Sequence, residues 1–161
     1  MGRVWVVNAS PLILLGRIGQ IELLQKLCTE LIIPAGVAQE IEQGTAEDTA
    51  RIWVQEHGHT NVQAVDAVDP TVAGWDLGLG ESHVLHLCYR QPGRDAILDD
   101  LAARNCAAAL GVPVRGTLAV IVLAKRRGII AAARPLLQGL VARGLRIDRP
   151  VFERALRLAN E

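Results

Sequence analysis

The chain has 161 residues, 50% of them hydrophobic, 21% charged and 3% aromatic, with 17 basic residues balancing 17 acidic ones. That length and apolar content suit one domain with a sizeable core and exclude a disordered chain. The longest clear apolar stretch, Leu118 to Ala124, falls well short of the roughly 20 residues a membrane helix needs.

The zero net charge hides an uneven distribution. Residues 1–99 carry 6 Lys and Arg against 13 Asp and Glu, a balance of −7; residues 100–161 carry 11 against 4, a balance of +7. An acidic front and a basic back suit a metal site beside a surface that binds a polyanion. Arginines on solvated helix faces explain the same asymmetry without any ligand. Cys28, Cys88 and Cys106 are widely spaced, odd in number and lack a Cys-x-x-Cys pair. They read as buried thiols of a reducing compartment, and the absence of a signal-peptide pattern points to the cytoplasm.

The N-terminal run Arg3-Val4-Trp5-Val6-Val7 reads as a strand that ends at Asn8. Ser10 then suits an N-cap and Pro11 a first helical position, with the helix running on through Leu15. Ile21 to Leu27 predict a second helix that places Leu23, Leu24 and Leu27 on one face. Leu31-Ile32-Ile33 is a short buried strand, and Pro34 opens a helix through Val37, Glu40 and Ile41 to about Gly44. A helix follows from Glu47 to Glu56, then an edge strand or loop over Val62 to Val68. Residues 69–79, with Pro70, Gly74 and Gly78, read as a connection.

Gly80-Glu81-Ser82 begins a helix carrying Val84, Leu85, Leu87 and Cys88, and Gln91-Pro92-Gly93 turns the chain into the next strand. That strand, Ala96-Ile97-Leu98, is too short for a helix and stops at two adjacent carboxylates, Asp99 and Asp100. An alanine-rich helix from Leu101 to Leu110 follows and ends at Gly111. Val112-Pro113-Val114 is another strand, Gly116-Thr117 caps a helix to Arg127, and two amphipathic helices span Ala133 to Ala142 and Pro150 to Leu158. Strands alternating with helices predict a single three-layer α/β/α domain, residues 1–161, with a mostly parallel sheet.

Carboxyl ends of strands are where open α/β sheets bind ligands. Asn8, Glu40, Glu81 and the Asp99–Asp100 pair all stand at element ends. Oxygen donors there can hold a hard cation, Mg²⁺ or Mn²⁺, which activates water and stabilises charge on a phosphodiester. Each residue also has a plainer reading. One Asp suffices as the N-cap of the following helix, Glu40 as an exposed helix acid, and Glu81 as a first-turn acid favoured by the helix dipole.

Other chemistries find less support. Gly78-x-Gly80 lacks the third glycine of a dinucleotide fingerprint, and His83 and His86 have no further partners for zinc. No Gly-x-Ser-x-Gly elbow is present, and Asn8 occupies the place a nucleophilic Asp would need. With so few aromatic residues, a nucleic acid would be held mainly by Arg and Lys contacts to phosphate.

Four segments in order carry a resemblance: Val6-Val7-Asn8-Ala9-Ser10-Pro11-Leu12-Ile13, Ile33-Pro34-x-x-Val37-x-x-Glu40, Gly80-Glu81, and Leu98-Asp99-Asp100-x-x-Ala103-Arg104. Together they resemble the PIN-domain nucleases, the closest branch being the VapC-like toxins of prokaryotic toxin–antitoxin pairs. Gly111-Val112-Pro113-Val114-x-Gly116-Thr117-Leu118 and Ala124-Lys125-x-x-Gly128-Ile129-Ile130 are similar to the tail of one PIN subfamily. The likeness covers residues 4 to about 160.

The resemblance implies a metal-dependent ribonuclease of compact α/β/α fold, with RNA as substrate, a cognate antitoxin as partner and a homodimer as assembly. The family's acidic positions map onto Asn8, Glu40, Glu81 and the Asp99–Asp100 pair. Spacing to Gly111 favours Asp100 by the general pattern, and the subfamily pattern favours Asp99. Ser10 and Thr117 are expected to hydrogen-bond the ligands. Arg104, Arg115, Lys125, Arg126 and Arg127 are the candidates for holding RNA. Asn8 stands where most PIN nucleases have Asp, and one charge fewer weakens a metal site. A catalytically weak PIN domain that binds RNA or protein as a regulatory module is therefore the alternative.

Overall fold

The computed structural model describes residues 2–44 and 48–161. Glu47, expected to open the fourth helix, lies outside the described residues.

Three apolar runs build the centre of the sheet. β1 (Val4–Val7), β2 (Glu30–Pro34) and β4 (Arg94–Ile97) form adjacent parallel strands. Trp5 to Val7, Leu31 to Ile33 and Ala96 to Leu98 are all buried. They show no polar alternation because helices cover both faces of a parallel sheet. Two two-residue strands complete it, β3 (Val62–Gln63) beside β2 and β5 (Val114–Arg115) beside β4. The order is β3-β2-β1-β4-β5, with every described pairing parallel.

That order fixes where a site can form. The chain moves outward from β1 through β2 to β3, then returns to the other side of β1 as β4. The direction of winding therefore reverses between β1 and β4, and open α/β sheets bind ligands outside the carboxyl ends of strands at such a point. Val7 is in register with Ile97, so Asn8 and Asp99 emerge side by side.

The helices between strands are α1 (Ala9–Arg17) and α2 (Leu23–Leu27), then α3 (Ala35–Glu42) and α4 (Thr49–Glu56), each set bridging one crossover. A 3-10 turn, Gly58–Asn61, leads into β3. Residues 69–79 are less plain a connection than expected. They include a one-turn helix, α5 (Pro70–Ala73), capped by Asp69, whose carboxylate accepts from Thr71 N at 2.9 Å. Then come α6 (Leu79–Arg90), α7 (Leu101–Leu110), α8 (Thr117–Arg126), α9 (Arg134–Ala142) and α10 (Arg149–Leu158). α6 lies against β1, β2 and β4 and packs on α3 and α7, while α8 packs with α1, α2, α9 and α10. Sheet and helices thus form three layers.

Local rules set the helix ends near the site. α1 begins two residues earlier than its Ser-Pro signal suggests, with Asn8 at the N-cap and Ser10 inside the first turn. Pro11 is tolerated there because first-turn N–H groups have no helical partner. α7 starts where Asp100 accepts from Ala103 N at 2.9 Å and stops at Gly111, whose φ of 72° is left-handed. Glycine adopts that conformation without a Cβ clash.

Candidate active site

Backbone geometry delivers four of the expected residues to the crevice beyond β1 and β4. Asn8 follows β1, and its backbone N–H donates to Ile97 O at 2.9 Å, continuing the sheet by one rung. Its side chain is buried. The Asn8 amide Nδ2 donates to Glu81 Oε1 at 3.2 Å, so the strand end and the first turn of α6 meet here. Glu40, in the second turn of α3, accepts from Gly80 N at 2.8 Å through Oε1.

Gly80 explains why Asn8, Glu40 and Glu81 can crowd together. A Cβ built on it would lie 2.8 Å from Glu40 Oε2 and 3.0 Å from Asn8 Oδ1. Those two oxygens therefore face one small volume that any side chain at residue 80 would fill. Asn8 Oδ1 is buried in that volume and has no hydrogen-bond donor among the described residues. An unpaired buried acceptor costs about 1–3 kcal/mol.

Asp99 is placed by different means. Its carboxylate accepts from Thr117 N at 2.8 Å, Thr117 Oγ1 at 2.7 Å and Ser10 Oγ at 3.1 Å. The first turns of α1 and α8 thus grip it from both sides. Asp100 points elsewhere: it is exposed and caps α7. The structure thereby separates two neighbours that sequence left tied, one carboxylate at the crevice and one at a helix end.

The basic candidates also divide. Arg104, Arg115 and Arg126 line a groove that opens at Asp99. A Cβ on Gly116 would sit 2.9 Å from Arg104 Nη1 and 3.0 Å from Asp99 Oδ1, so that glycine leaves room for both groups to face the same opening. Lys125 instead pairs with Glu161 at 3.7 Å, and Arg127 Nη1 donates to Leu27 O at 2.9 Å.

Neighbouring titratable groups are spoken for. His83 Nδ1 accepts from Gly36 N at 2.9 Å, and His86 Nδ1 accepts from Asp69 N at 2.9 Å. Burial, followed by the nearby His86, holds the His83 pKa below its ordinary value, so the ring is neutral at pH 7. Burial pushes the Cys88 thiol up to about 12. Such a thiol is no nucleophile at neutral pH.

All the donors at the crevice are oxygens, the type a hard cation prefers. Among the described residues, no three His, Cys, Asp or Glu side chains converge closely enough to hold a metal by themselves. The neutral Asn8 links two of the carboxylates, donating to Glu81 and sharing the space at Gly80 with Glu40. Its orphaned Oδ1, close to Glu40 Oε2, is the feature that a cation would satisfy, so the residues fit Mg²⁺ or Mn²⁺ with Asn8 in the set.

Residues 4–161 match the family model DUF3368, a PIN domain. The chain belongs to this PIN-domain family. PIN domains are generally nucleases, which typically use divalent metals, and this PIN domain has its oxygen donors at the sheet's switch point. A comparison with curated proteins gave no match. Among the described residues of the PIN domain, no helix is long and apolar enough to cross a membrane.

Sequence reasoning missed three features. Gly80 and Gly116 read only as helix-start residues, because close approach of a remote side chain leaves no local mark. Asp95, buried in β4, pairs with Arg3 at 2.8 Å and lies 3.8 Å from Arg115 Nε. Arg146 and Arg154 join the groove beside Asp99; the +7 balance of residues 100–161 was their only signal.

Proposed function

We propose that this PIN domain is a divalent-metal-dependent endoribonuclease, the toxin of a toxin–antitoxin pair working as a homodimer. The observation that carries the reading is the unpaired, buried Asn8 Oδ1 set between Glu40 and Glu81 at the β1–β4 switch point. Asn8, Glu40, Glu81 and Asp99 would hold Mg²⁺ or Mn²⁺. When bound, such an ion activates a water and stabilises charge on the phosphodiester.

The chain's own residues do the positioning. Thr117 and Ser10 fix the Asp99 carboxylate before any ligand arrives, which removes the cost of ordering it later. Gly80 N–H orients Glu40, and the Asn8 amide orients Glu81. Arg104, beside the same opening, is placed to take a phosphate oxygen through its guanidinium fork.

RNA incubated with the purified protein and Mn²⁺ should be cut at internal positions, and EDTA should stop the reaction. Glu81→Gln should abolish cleavage while leaving the melting temperature near that of the wild type. Full cleavage in EDTA would sink the proposal.

One observation favours a second reading, a regulatory PIN domain of little activity. Asn8 brings no charge, and the three carboxylates do not converge without it. Calorimetric titration with Mn²⁺ decides between them. No heat at millimolar metal, restored by Asn8→Asp, supports the regulatory module. A small reading frame adjoining the gene would support the antitoxin partner.

A further inference from the structure

The groove that opens at Asp99 has a volume of about 560 Å³ and runs between α8 and α10. Its floor is aliphatic, formed by Leu118 and Val122 of α8, Ile147, and Val151 and Leu158 of α10. Val151 and Leu158 are 43% and 50% exposed, and with Ala155 they recur at helical spacing along the groove side of α10. Large apolar side chains left in water beside one another mark a surface with something to bind.

Its rim is arginine. Arg104, Arg115, Arg126, Arg146 and Arg154 all line the groove, and among the described residues Asp99 is the one acid lining it. Among the described residues, only Arg115 of these five has an acidic partner within 4.0 Å, Asp95 at 3.8 Å. The other four form no ion pair among the described residues. The complement to such a surface is a strand of regularly spaced anions that also carries apolar faces.

Resting on the ribonuclease reading, we propose that this groove is a subsite for single-stranded RNA adjoining the scissile phosphate. Arg126, Arg146 and Arg154 hold the phosphates of the flanking nucleotides, and a base lies flat on Val122, Val151 and Leu158. Continuity with Asp99 favours RNA over a protein segment, because a strand cut at Asp99 has to leave the crevice along a neighbouring surface. The occupant is single-stranded, since the bases of a duplex are stacked and paired and cannot reach a floor. The groove has no aromatic ring, so recognition tolerates different bases and depends strongly on salt.

The test is binding of a short mixed-sequence RNA with 2′-O-methyl groups, followed by fluorescence anisotropy in EDTA, where no cleavage is possible. The double variant Arg146→Ala, Arg154→Ala should weaken binding and flatten the salt dependence, each lost phosphate contact removing about 0.7 from the log–log slope. Leu158→Ser, which removes the apolar floor without adding charge, should weaken binding of the single strand several-fold and leave binding of the matching duplex unchanged. Wild-type affinity and slope in both variants, with melting temperatures intact, would overturn the proposal. So would variants that bind RNA normally but lose an acidic amphipathic peptide, which would give the groove to a protein. Loss of Mn²⁺-dependent cleavage with groove binding retained would refute the nuclease reading alone.

Discussion

The two halves of the crevice are built on opposite terms. On the β4 side, Asp99 accepts three hydrogen bonds from Ser10 and Thr117 and is anchored without any ion. On the β1 side, Asn8, Glu40 and Glu81 bring oxygens together with, among the described residues, one donor to Glu81, one to Glu40 and none to Asn8 Oδ1. A carboxylate with three donors is held in place and still keeps a lone pair to offer; acceptors short of donors are held at a cost that a cation reverses. One half is preorganised, and the other is left wanting a ligand.

The sharpest way to break that contrast is to remove charge from the anchored half while keeping its shape. Asp99→Asn should lower the initial rate of RNA cleavage by more than about 100-fold, the scale of losing one preorganised polar group at a reacting centre. Asp100→Asn should leave the rate alone. The reverse result would transfer the role to the second carboxylate of the pair.

Much of this architecture was legible because it follows from local rules. Strands β1, β2 and β4 announce themselves as apolar runs, α7 is bounded by Asp100 and Gly111, and Asn8, Glu81 and Asp99 stand at element ends, while Glu40 lies a turn inside α3. What was not legible depends on remote partners. The choice between Asp99 and Asp100 is made by Thr117, eighteen residues on, and by Ser10, from the first crossover. The tolerance for crowding at Gly80 comes from Glu40, and the gathering of Arg104, Arg126, Arg146 and Arg154 comes from α10 folding back against α8. Sequence pattern reports periodicity and capping; it does not report which distant side chain fills a given space.

A smaller effect should appear in the unanchored half, whose position depends on α3 meeting α6. Two bonds run between these helices in opposite directions, Gly36 N to His83 Nδ1 and Gly80 N to Glu40 Oε1. His83 accepts only while neutral. Because burial and His86 lower its pKa in the fold, the unfolded chain binds the proton more tightly. Stability is then fully present above the ordinary histidine value of about 6.5 and lost as pH falls through it toward the folded pKa. Thermal melts should show a decline across that window, and His83→Gln, which still offers an acceptor but cannot titrate, should flatten it. An equal decline in the variant would place the pH sensitivity elsewhere.

The smallest expected effect isolates the role of Asp100 as a helix cap. Its Oδ2 accepts from Ala103 N at 2.9 Å, satisfying one of the first-turn donors that α7 would otherwise leave unpaired. Removing such a cap costs about 1 kcal/mol, whereas Asn replaces Asp at this position with little loss. For a domain of this size, about 1 kcal/mol lowers the melting temperature by about 2–4 °C. Asp100→Ala should therefore melt a few degrees early, Asp100→Asn should melt with the wild type, and both should cleave RNA at the wild-type rate. The cap faces solvent at the start of α7, while the crevice is held by Thr117 and Ser10, so the two effects have no shared hydrogen bond through which to couple. A cleavage defect in Asp100→Ala beyond its loss of folded protein would mean that α7, through Arg104 one turn along it, transmits its N-terminal geometry to the crevice.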